Sequence, residues 1–232
     1  QLVGQQKVQP RLLKAPVVLN PVQPADVDQW VTLSQINNPS IQQADVALEV
    51  ARLETQKATA GHKPTLDLVG SYSSINNSSG SSSTIGDSRV NVGTLGVHLN
   101  LPLFAGFSTQ NRIKETVALE EKARADLETA RRSVAQGTRT AYFGVQSGLA
   151  QVNALQAAEA SSQSALDANK LGYQVGVRIN IDVLNSQSQL FDTKAKLAKA
   201  RYDVLVGGLK LRQASGTLKA DDLQPINSQL AQ

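Results

Sequence analysis

The side chains of this sequence that could do chemistry are concentrated in one short stretch, where Tyr173, Arg178 and Asp182 follow one another within ten residues. A phenol, a guanidinium and a carboxylate at this spacing can form hydrogen bonds and ion pairs. Gly172 and Gly176 lie in the same stretch and supply the permissive backbone that ends helices, so a turn between two helices is predicted. Two interpretations are open here: an ordinary turn with solvated polar residues, or a constriction that opens and closes.

The helix that follows this turn has a predicted start. Asn180 is expected to cap it by accepting a hydrogen bond from a free amide of its first turn. Asp182 suits the same place, because a carboxylate is favoured at the positive end of the helix dipole. The turn is therefore predicted to place Asp182 close to the preceding polar residues.

Catalytic chemistry is not predicted anywhere in the chain. Cysteine is absent, and His62 and His98 stand apart from any acidic cluster with metal-ligand spacing, so both are interpreted as structural. The sequence contains no nucleophile elbow, phosphate loop or dinucleotide fingerprint. We therefore expect the chain to have no enzymatic activity, no cofactor and no metal site.

The composition favours an elongated helical protein over an ordinary globular domain. Aromatic residues make up only 4% of the 232 residues. The net charge of +4 is spread through the sequence without a basic block, which argues against a nucleic-acid partner. Methionine is absent and the chain begins with Gln1, so a processed protein or a fragment, without its signal peptide, is expected.

The first two segments are predicted to be an extended strap, residues 1–37, and a helical segment, residues 38–63. The strap holds four of the eight prolines, which disfavour helix, although a short helix is expected near residues 26–33. Trp30 is expected to anchor the strap to a neighbouring surface. Asn38 and Pro39 predict the start of the next helix, as its cap and its first residue.

Residues 64–103 alternate in the period of a strand and predict a β-hairpin, with a polar loop at residues 73–88 rich in Ser, Asn and Gly. Four apolar residues of the second strand share one face: Leu95, Val97, Leu99 and Leu101. Strands of about ten residues can cross a bilayer as tilted β-structure. A hairpin of a soluble protein, with one face on the core and the other exposed to solvent, explains the same alternation.

Residues 104–218 predict two long helices on either side of the turn. The first is expected over residues 108–168, about 90 Å at 1.5 Å per residue. Apolar residues recur in steps of seven along the second helix, and a neighbouring apolar stripe follows the same period, so packing on two sides is expected. The residues of the first stripe are Val183, Leu190, Leu197, Val204 and Leu211. Gly216 is predicted to end this helix, and residues 219–232 are interpreted as a polar C-terminal tail in which a short helical turn can form.

The order of these elements resembles the second structural repeat of the TolC family of outer-membrane channels. Four stretches carry the resemblance: NNPSIQQADVALEVARLETQKATAGHKPTLDL, LPLFAGF, GYQVGVRINIDVLN and AKARYDVLVGGLKLRQASGTL. It implies a mainly α fold with a β-hairpin, in which coiled-coil-like helices form an α-helical barrel and two strands join a transmembrane β-barrel. The strap would then run around the equator of the helical barrel, and the loop at residues 73–88 would be extracellular.

The resemblance also implies a function and its partners. Members are passive exit ducts of tripartite efflux pumps or type I secretion systems in the outer membrane of Gram-negative bacteria and extend into the periplasm. The full-length protein would be a homotrimer in contact with outer-membrane lipid, a periplasmic adaptor and an inner-membrane transporter. A soluble helical-hairpin adaptor or scaffold is the alternative, and a membrane-active toxin is a third.

Particular residues take roles from this resemblance. Tyr173 and Arg178 match the positions that hold the periplasmic entrance of family members closed. Asp182 matches the first of two acidic rings that face the pore, and Asn185 stands where the second ring can have Asp. A ring of carboxylates attracts cations. With Asn185 in the second position, weaker cation selectivity is expected. Leu95, Val97, Leu99 and Leu101 would face lipid.

Overall fold

The computed structural model describes residues 13, 14, 17, 19–77 and 88–230. The described residues fall into two compact units, one formed by residues up to 45 together with residues from 126 onwards, the other by residues 46–125. The elements in chain order are α1 (Val27–Asn37), α2 (Pro39–Ala60), β1 (Thr65–Asn77), β2 (Ser88–Asn100), α3 (Ser108–Gln174), α4 (Asn180–Ala214), a 3-10 turn (Ala220–Leu223) and α5 (Gln224–Ser228).

The segment predicted to be an extended strap contains a longer helix than expected. The Asp26 side chain accepts a hydrogen bond from the amide of Asp28 and caps α1, which continues to Asn37 instead of ending near residue 33. Trp30 is buried, and its indole Nε1 donates to the carbonyl oxygen of Pro24 at 2.8 Å. The capping interaction and the Trp30 anchor explain why the helix forms beside the prolines.

Asn38 joins two helix ends through its side chain. Its Oδ1 accepts a hydrogen bond from the amide of Ser40 at 2.9 Å, so Asn38 caps α2 as predicted. Its Nδ2 donates to the carbonyl oxygen of Ala214 at 2.8 Å, at the last residue of α4. One amide side chain therefore stabilises the start of α2 and the end of α4.

The strands β1 and β2 form an antiparallel hairpin. Thr65 pairs with Asn100 and Asn77 pairs with Ser88, so residues 73–77, predicted to begin the loop, are paired as strand. The remainder of that predicted loop, residues 78–87, lies outside the described residues. The second strand ends at Asn100, so Leu101 follows the strand instead of lying in it.

Between β2 and α3 the chain makes a tight turn at Gly106 and Phe107. Gly106 and Phe107 have φ values of 57° and 64°, and an aromatic residue rarely adopts this left-handed conformation. α3 begins at Ser108, as the sequence predicted, and continues to Gln174. Phe104 and Phe107 contact each other edge to face, with ring centroids 5.7 Å apart.

The core of the first unit lies along α3 and α4. The predicted seven-residue repeat of α4 is buried from Leu190 onwards, while Val183 is half-buried. One buried cluster comprises Val145, Val152, Leu197, Ala200 and Val204, and another comprises Trp30, Tyr142 and Leu211. The neighbouring apolar stripe is different, because Leu184 and Phe191 are exposed. Among the helices that the structure describes, none combines the length and hydropathy that a bilayer-spanning helix requires.

The predicted polar tail is an ordered part of the first unit. Asp222, in the 3-10 turn, forms an ion pair with Arg212 of α4, and α5 follows directly. The backbone amide of Lys14 donates to the carbonyl oxygen of Gln229 at 2.8 Å. These contacts fix both ends of the described chain on the same unit, and the 3-10 turn and α5 are the short helical turns that the polar segment forms.

Candidate functional site

The turn between α3 and α4 is closed by a complete set of backbone hydrogen bonds. Gly176 has a φ of 76°, the left-handed conformation that glycine adopts without strain. The amide of Gly176 donates to the carbonyl of Tyr173 at 3.1 Å, and the amide of Val177 donates to the carbonyl of Gly172 at 2.8 Å. This is the Schellman arrangement, which satisfies the last carbonyls of a helix. The two predicted glycines therefore have different roles. Gly176 adopts the left-handed conformation that reverses the chain. Gly172 lies within α3, and its carbonyl oxygen accepts hydrogen bonds from the turn.

The start of α4 differs from the prediction. Ile179 occupies the capping position with extended backbone angles, and it makes no side-chain capping hydrogen bond. Asn180, predicted to be the cap, is instead the first helical residue. The prediction was wrong because side-chain chemistry was used to place the cap, whereas the bonded turn at Gly176 determines where helical geometry resumes. Asp182 lies in the first turn of α4, as predicted.

Arg178 and Asp182 are brought together. Arg178 Nη1 lies 3.8 Å from Asp182 Oδ2, and the two side chains are 58% and 34% exposed. An ion pair this open to water contributes less than about 1 kcal/mol to stability. Tyr173 is 52% exposed, and within the described part of the chain its hydroxyl has no hydrogen-bond partner. Asn185 is also exposed. Of the four predicted gate and ring residues, Arg178 and Asp182 are the two that the structure joins by a side-chain polar contact.

A second polar contact joins α3 to α4 just behind the turn, and the sequence interpretation missed it. The Asn169 amide donates to the hydroxyl of Ser186, which in turn donates to the carbonyl oxygen of Asp182 at 2.8 Å. The backbone that carries the Asp182 carboxylate is thereby linked to α3. Asn169 and Ser186 are 17 positions apart in the sequence, and no sequence motif marks such a pair.

The imidazoles lie in the second unit and form no metal-binding group. His98 of β2 pairs in register with Asp67 of β1, and His62 lies in the turn after α2. Within the residues that the structure describes, no group of three His, Cys, Asp or Glu side chains could hold a metal ion.

The apolar face of the hairpin is continuous across both strands. Leu99 pairs with Leu66 and Val97 pairs with Leu68, so these side chains share a face with Leu95. All of them are exposed, as is Leu101 just beyond β2. The opposite face is mixed, because it carries the pair of Asp67 and His98 and also four exposed apolar side chains: Val69, Ile75, Val90 and Val92.

The profile of one protein family, described as outer membrane efflux protein, matches residues 30–217. The chain belongs to this outer membrane efflux protein family. The matched residues include α3, the turn and α4, which position the candidate site, and they also include the hairpin.

Two relatives in other bacteria agree with this assignment. The outer membrane protein TolC of Salmonella enteritidis is 34% identical over 211 residues, which cover 89% of this chain and 43% of the relative. The alkaline protease secretion protein AprF of Pseudomonas aeruginosa is 29% identical, covering 90% of this chain and 43% of its own. The chain thus spans less than half the length of these relatives.

A solved structure of an outer membrane channel shows the same fold. The outer membrane channel CmeC of Campylobacter jejuni superposes with a TM-score of 0.72 at 20% identity, over 85% of this chain and 42% of that one. The predicted TolC-like fold class and the resemblance itself are confirmed. The predicted location in the outer membrane of a Gram-negative bacterium is also confirmed. The family consists of transporters and not of enzymes.

Proposed function

We propose that this chain forms part of a passive exit duct in the outer membrane, within a tripartite efflux pump or a type I secretion system. The observation that carries the proposal is the family match over residues 30–217, which contains both a hairpin with an apolar face and a helical turn with charged residues. Relatives named for efflux and for protease secretion support either transport task. The full-length protein would act as a homotrimer, and the alternative of a soluble adaptor or scaffold is not favoured by these relatives.

The turn between α3 and α4 is proposed as the gate, with Tyr173 and Arg178 as its closing residues. Both side chains are at least half exposed at the tip of the helical hairpin, where neighbouring copies of the chain could accept their hydrogen bonds. Exposed polar groups without a strong partner in their own chain are available for such contacts.

We expect the double variant Tyr173→Phe with Arg178→Ser to raise the closed-state current of the reconstituted protein in planar lipid bilayers. Each copy would lose about 0.5 kcal/mol of closing interaction. Three copies would then shift the ratio of open to closed channels about tenfold. Tyr202→Phe with Arg131→Ser makes the same chemical changes away from the turn and should leave the current unchanged. An unaltered current in the first variant would remove Tyr173 and Arg178 from the gate.

Asp182 is proposed to form the acidic ring of the pore, with Asn185 as its uncharged neighbour on α4. We expect Asp182→Ala to weaken block by a trivalent cation such as La³⁺ roughly tenfold, because carboxylates that converge on a pore attract multivalent cations. Asn185→Asp should strengthen the block by adding a second ring. Titrating single-channel current with La³⁺ measures both effects.

The matched control for this ring is Asp192→Ala, because Lys196 Nζ lies 2.6 Å from the Asp192 carboxylate and neutralises it. If Asp182→Ala and Asp192→Ala change the block equally, only net charge matters and Asp182 does not face the pore.

The apolar face of the hairpin is proposed to contact outer-membrane lipid through Leu95, Val97, Leu99 and Leu101. These side chains are exposed, and an aqueous surface of contiguous leucine and valine is unfavourable. Thirteen residues in each strand exceed the length of about ten that a tilted strand needs to cross a bilayer. The opposite face, which carries Asp67 and His98, would then line the interior of a barrel completed by other strands.

The turn between α3 and α4 is also proposed as the surface that binds the periplasmic adaptor. The adaptor would connect the duct to an inner-membrane transporter. Apolar side chains surround the charged pair, and each is more than half exposed: Leu171, Val175, Val177, Ile179 and Ile181. An apolar patch with polar residues beside it is typical of a protein-binding surface.

A further inference from the structure

The side chain of Arg178 packs directly over the backbone of Gly172. A Cβ atom placed on Gly172 would lie 2.6 Å from Arg178 Cγ and 3.4 Å from Arg178 Cβ. The first distance is shorter than a carbon–carbon contact allows. The clash would involve the base of the arginine side chain and not its flexible end, so Arg178 could not accommodate a methyl group at Gly172 without rotating about its first side-chain bond or moving the turn.

Gly172 also fixes the backbone of the same arginine. Its carbonyl oxygen accepts hydrogen bonds from the amides of Val177, at 2.8 Å, and Arg178, at 3.1 Å. Gly172 therefore affects Arg178 in two ways. It leaves space for the arginine side chain, and its carbonyl oxygen binds the arginine amide. Both the backbone position of Arg178 and the direction of its side chain depend on this residue.

The other glycines within the described helices have different surroundings. A Cβ on Gly137, Gly144 or Gly208 would meet no atom within 4 Å, and one on Gly148 would meet Val204 of the core. Only at Gly172, among the helical glycines that the structure describes, is the space taken by a charged side chain. Packing of α3 against the core does not explain a glycine here.

We propose that Gly172 is a positioning residue of the gate, holding Arg178 where it closes the entrance and compensates the charge of Asp182. This inference rests on the proposed function of the turn. The ion pair between Arg178 and Asp182 is already 3.8 Å long. A rotation of Arg178 away from an added methyl group moves the guanidinium by several ångströms and ends the pairing. The Asp182 carboxylate is then left uncompensated.

Two measurable effects are expected of Gly172→Ala in planar bilayers. The closed-state current rises to about the level of Arg178→Ala, because the guanidinium no longer holds the closed position. Block by La³⁺ strengthens about threefold, because Asp182 has lost its counter-charge. A residue with a merely structural role in α3 would not change cation block, and alanine is the better helix former at this position.

The deciding experiment is a double-mutant cycle of Gly172→Ala and Arg178→Ala. Alanine at 178 carries no atom at the γ position, so the clash disappears in the double variant, which keeps the fold even if the turn is disturbed in Gly172→Ala alone. If Gly172 acts through Arg178, the double variant behaves like Arg178→Ala, and the effects do not add. Gly144→Ala, which meets no atom within 4 Å, is the matched control and should behave as the wild type.

The outcomes distinguish failure of the positioning role of Gly172 from failure of the proposed gate. A change in Arg178→Ala without any change in Gly172→Ala overturns the positioning role and leaves the gate intact. Additive effects also overturn it, since Gly172 would then act independently of Arg178. No change in Arg178→Ala overturns the gate and the positioning role together.

Discussion

Replacing Leu211 by Ala lowers the free energy of unfolding by about 4 kcal/mol. Leu211 is 0% exposed and packs in the cluster with Trp30 and Tyr142. Removing three methylene-sized groups from a fully buried site loses their transfer free energy and leaves a cavity, and such leucine-to-alanine changes cost about 2–5 kcal/mol. The upper part of this range is expected because Leu211 connects α4 to the Trp30 anchor of α1.

Urea unfolding followed by tryptophan fluorescence measures this loss. The chain has a single tryptophan, and Trp30 lies in the same cluster, so its emission reports the site directly. The matched control is Leu171→Ala, which is the same chemical change at a side chain that is 62% exposed. That variant should lose less than about 1 kcal/mol. Equal losses in the two variants would contradict the assignment of Leu211 to the core.

Replacing Gly216 by Ala is expected to cost about 3 kcal/mol. Gly216 has a φ of 70°, and an alanine in this left-handed conformation is strained by about 1–2 kcal/mol. A Cβ here would also lie 2.6 Å from the carbonyl carbon of Asn37 and 2.8 Å from Asn38 Cα. These are backbone atoms at the junction of α1 and α2, so the contact can be relieved only by moving a helix end, at a further cost of about 1–3 kcal/mol.

Gly176→Ala separates the two causes of this loss. Gly176 has a similar φ of 76°, but a Cβ there would meet no atom within 4 Å. It should therefore lose only the conformational part, about 1 kcal/mol. Thermal unfolding of both variants by circular dichroism measures the difference, and Gly216→Ala should unfold at the lower temperature. The reverse order would refute a close contact between Gly216 and the start of α2.

The helical part of the fold could be predicted because periodicity reports burial directly. The seven-residue repeat of Leu190, Leu197 and Val204 marks the face of α4 that packs in the core, and the structure buries it. Asn38 was predictable for a different reason: a side chain that caps its own helix acts within two residues. Its second bond, to Ala214, was not predictable, because local sequence carries no signal of a partner 176 positions away.

The candidate site was predicted as a set of residues and not as a geometry. The positions of Tyr173, Arg178 and Asp182 came from motif and resemblance, but the pairing of Arg178 with Asp182 depends on where the turn ends. That end is set by backbone hydrogen bonds to Gly172. The same bonds explain why the capping residue is Ile179 and not the predicted Asn180. Gly172 itself was read only as a helix breaker, because a close approach of a side chain to a glycine leaves no pattern in sequence.

The second bond of Asn38 also bears on the order in which the chain can fold. Bringing Asn38 to Ala214 closes a loop of 176 residues, whereas Asn169 and Ser186 close one of only 17. Because the entropy lost on closing a loop grows with its length, contacts at the turn form at the lower entropic cost, and pairing of α3 with α4 can spread from there. The Asn38 junction then forms across helices that are already paired. We therefore expect its bond to Ala214 to form late in the folding of this unit.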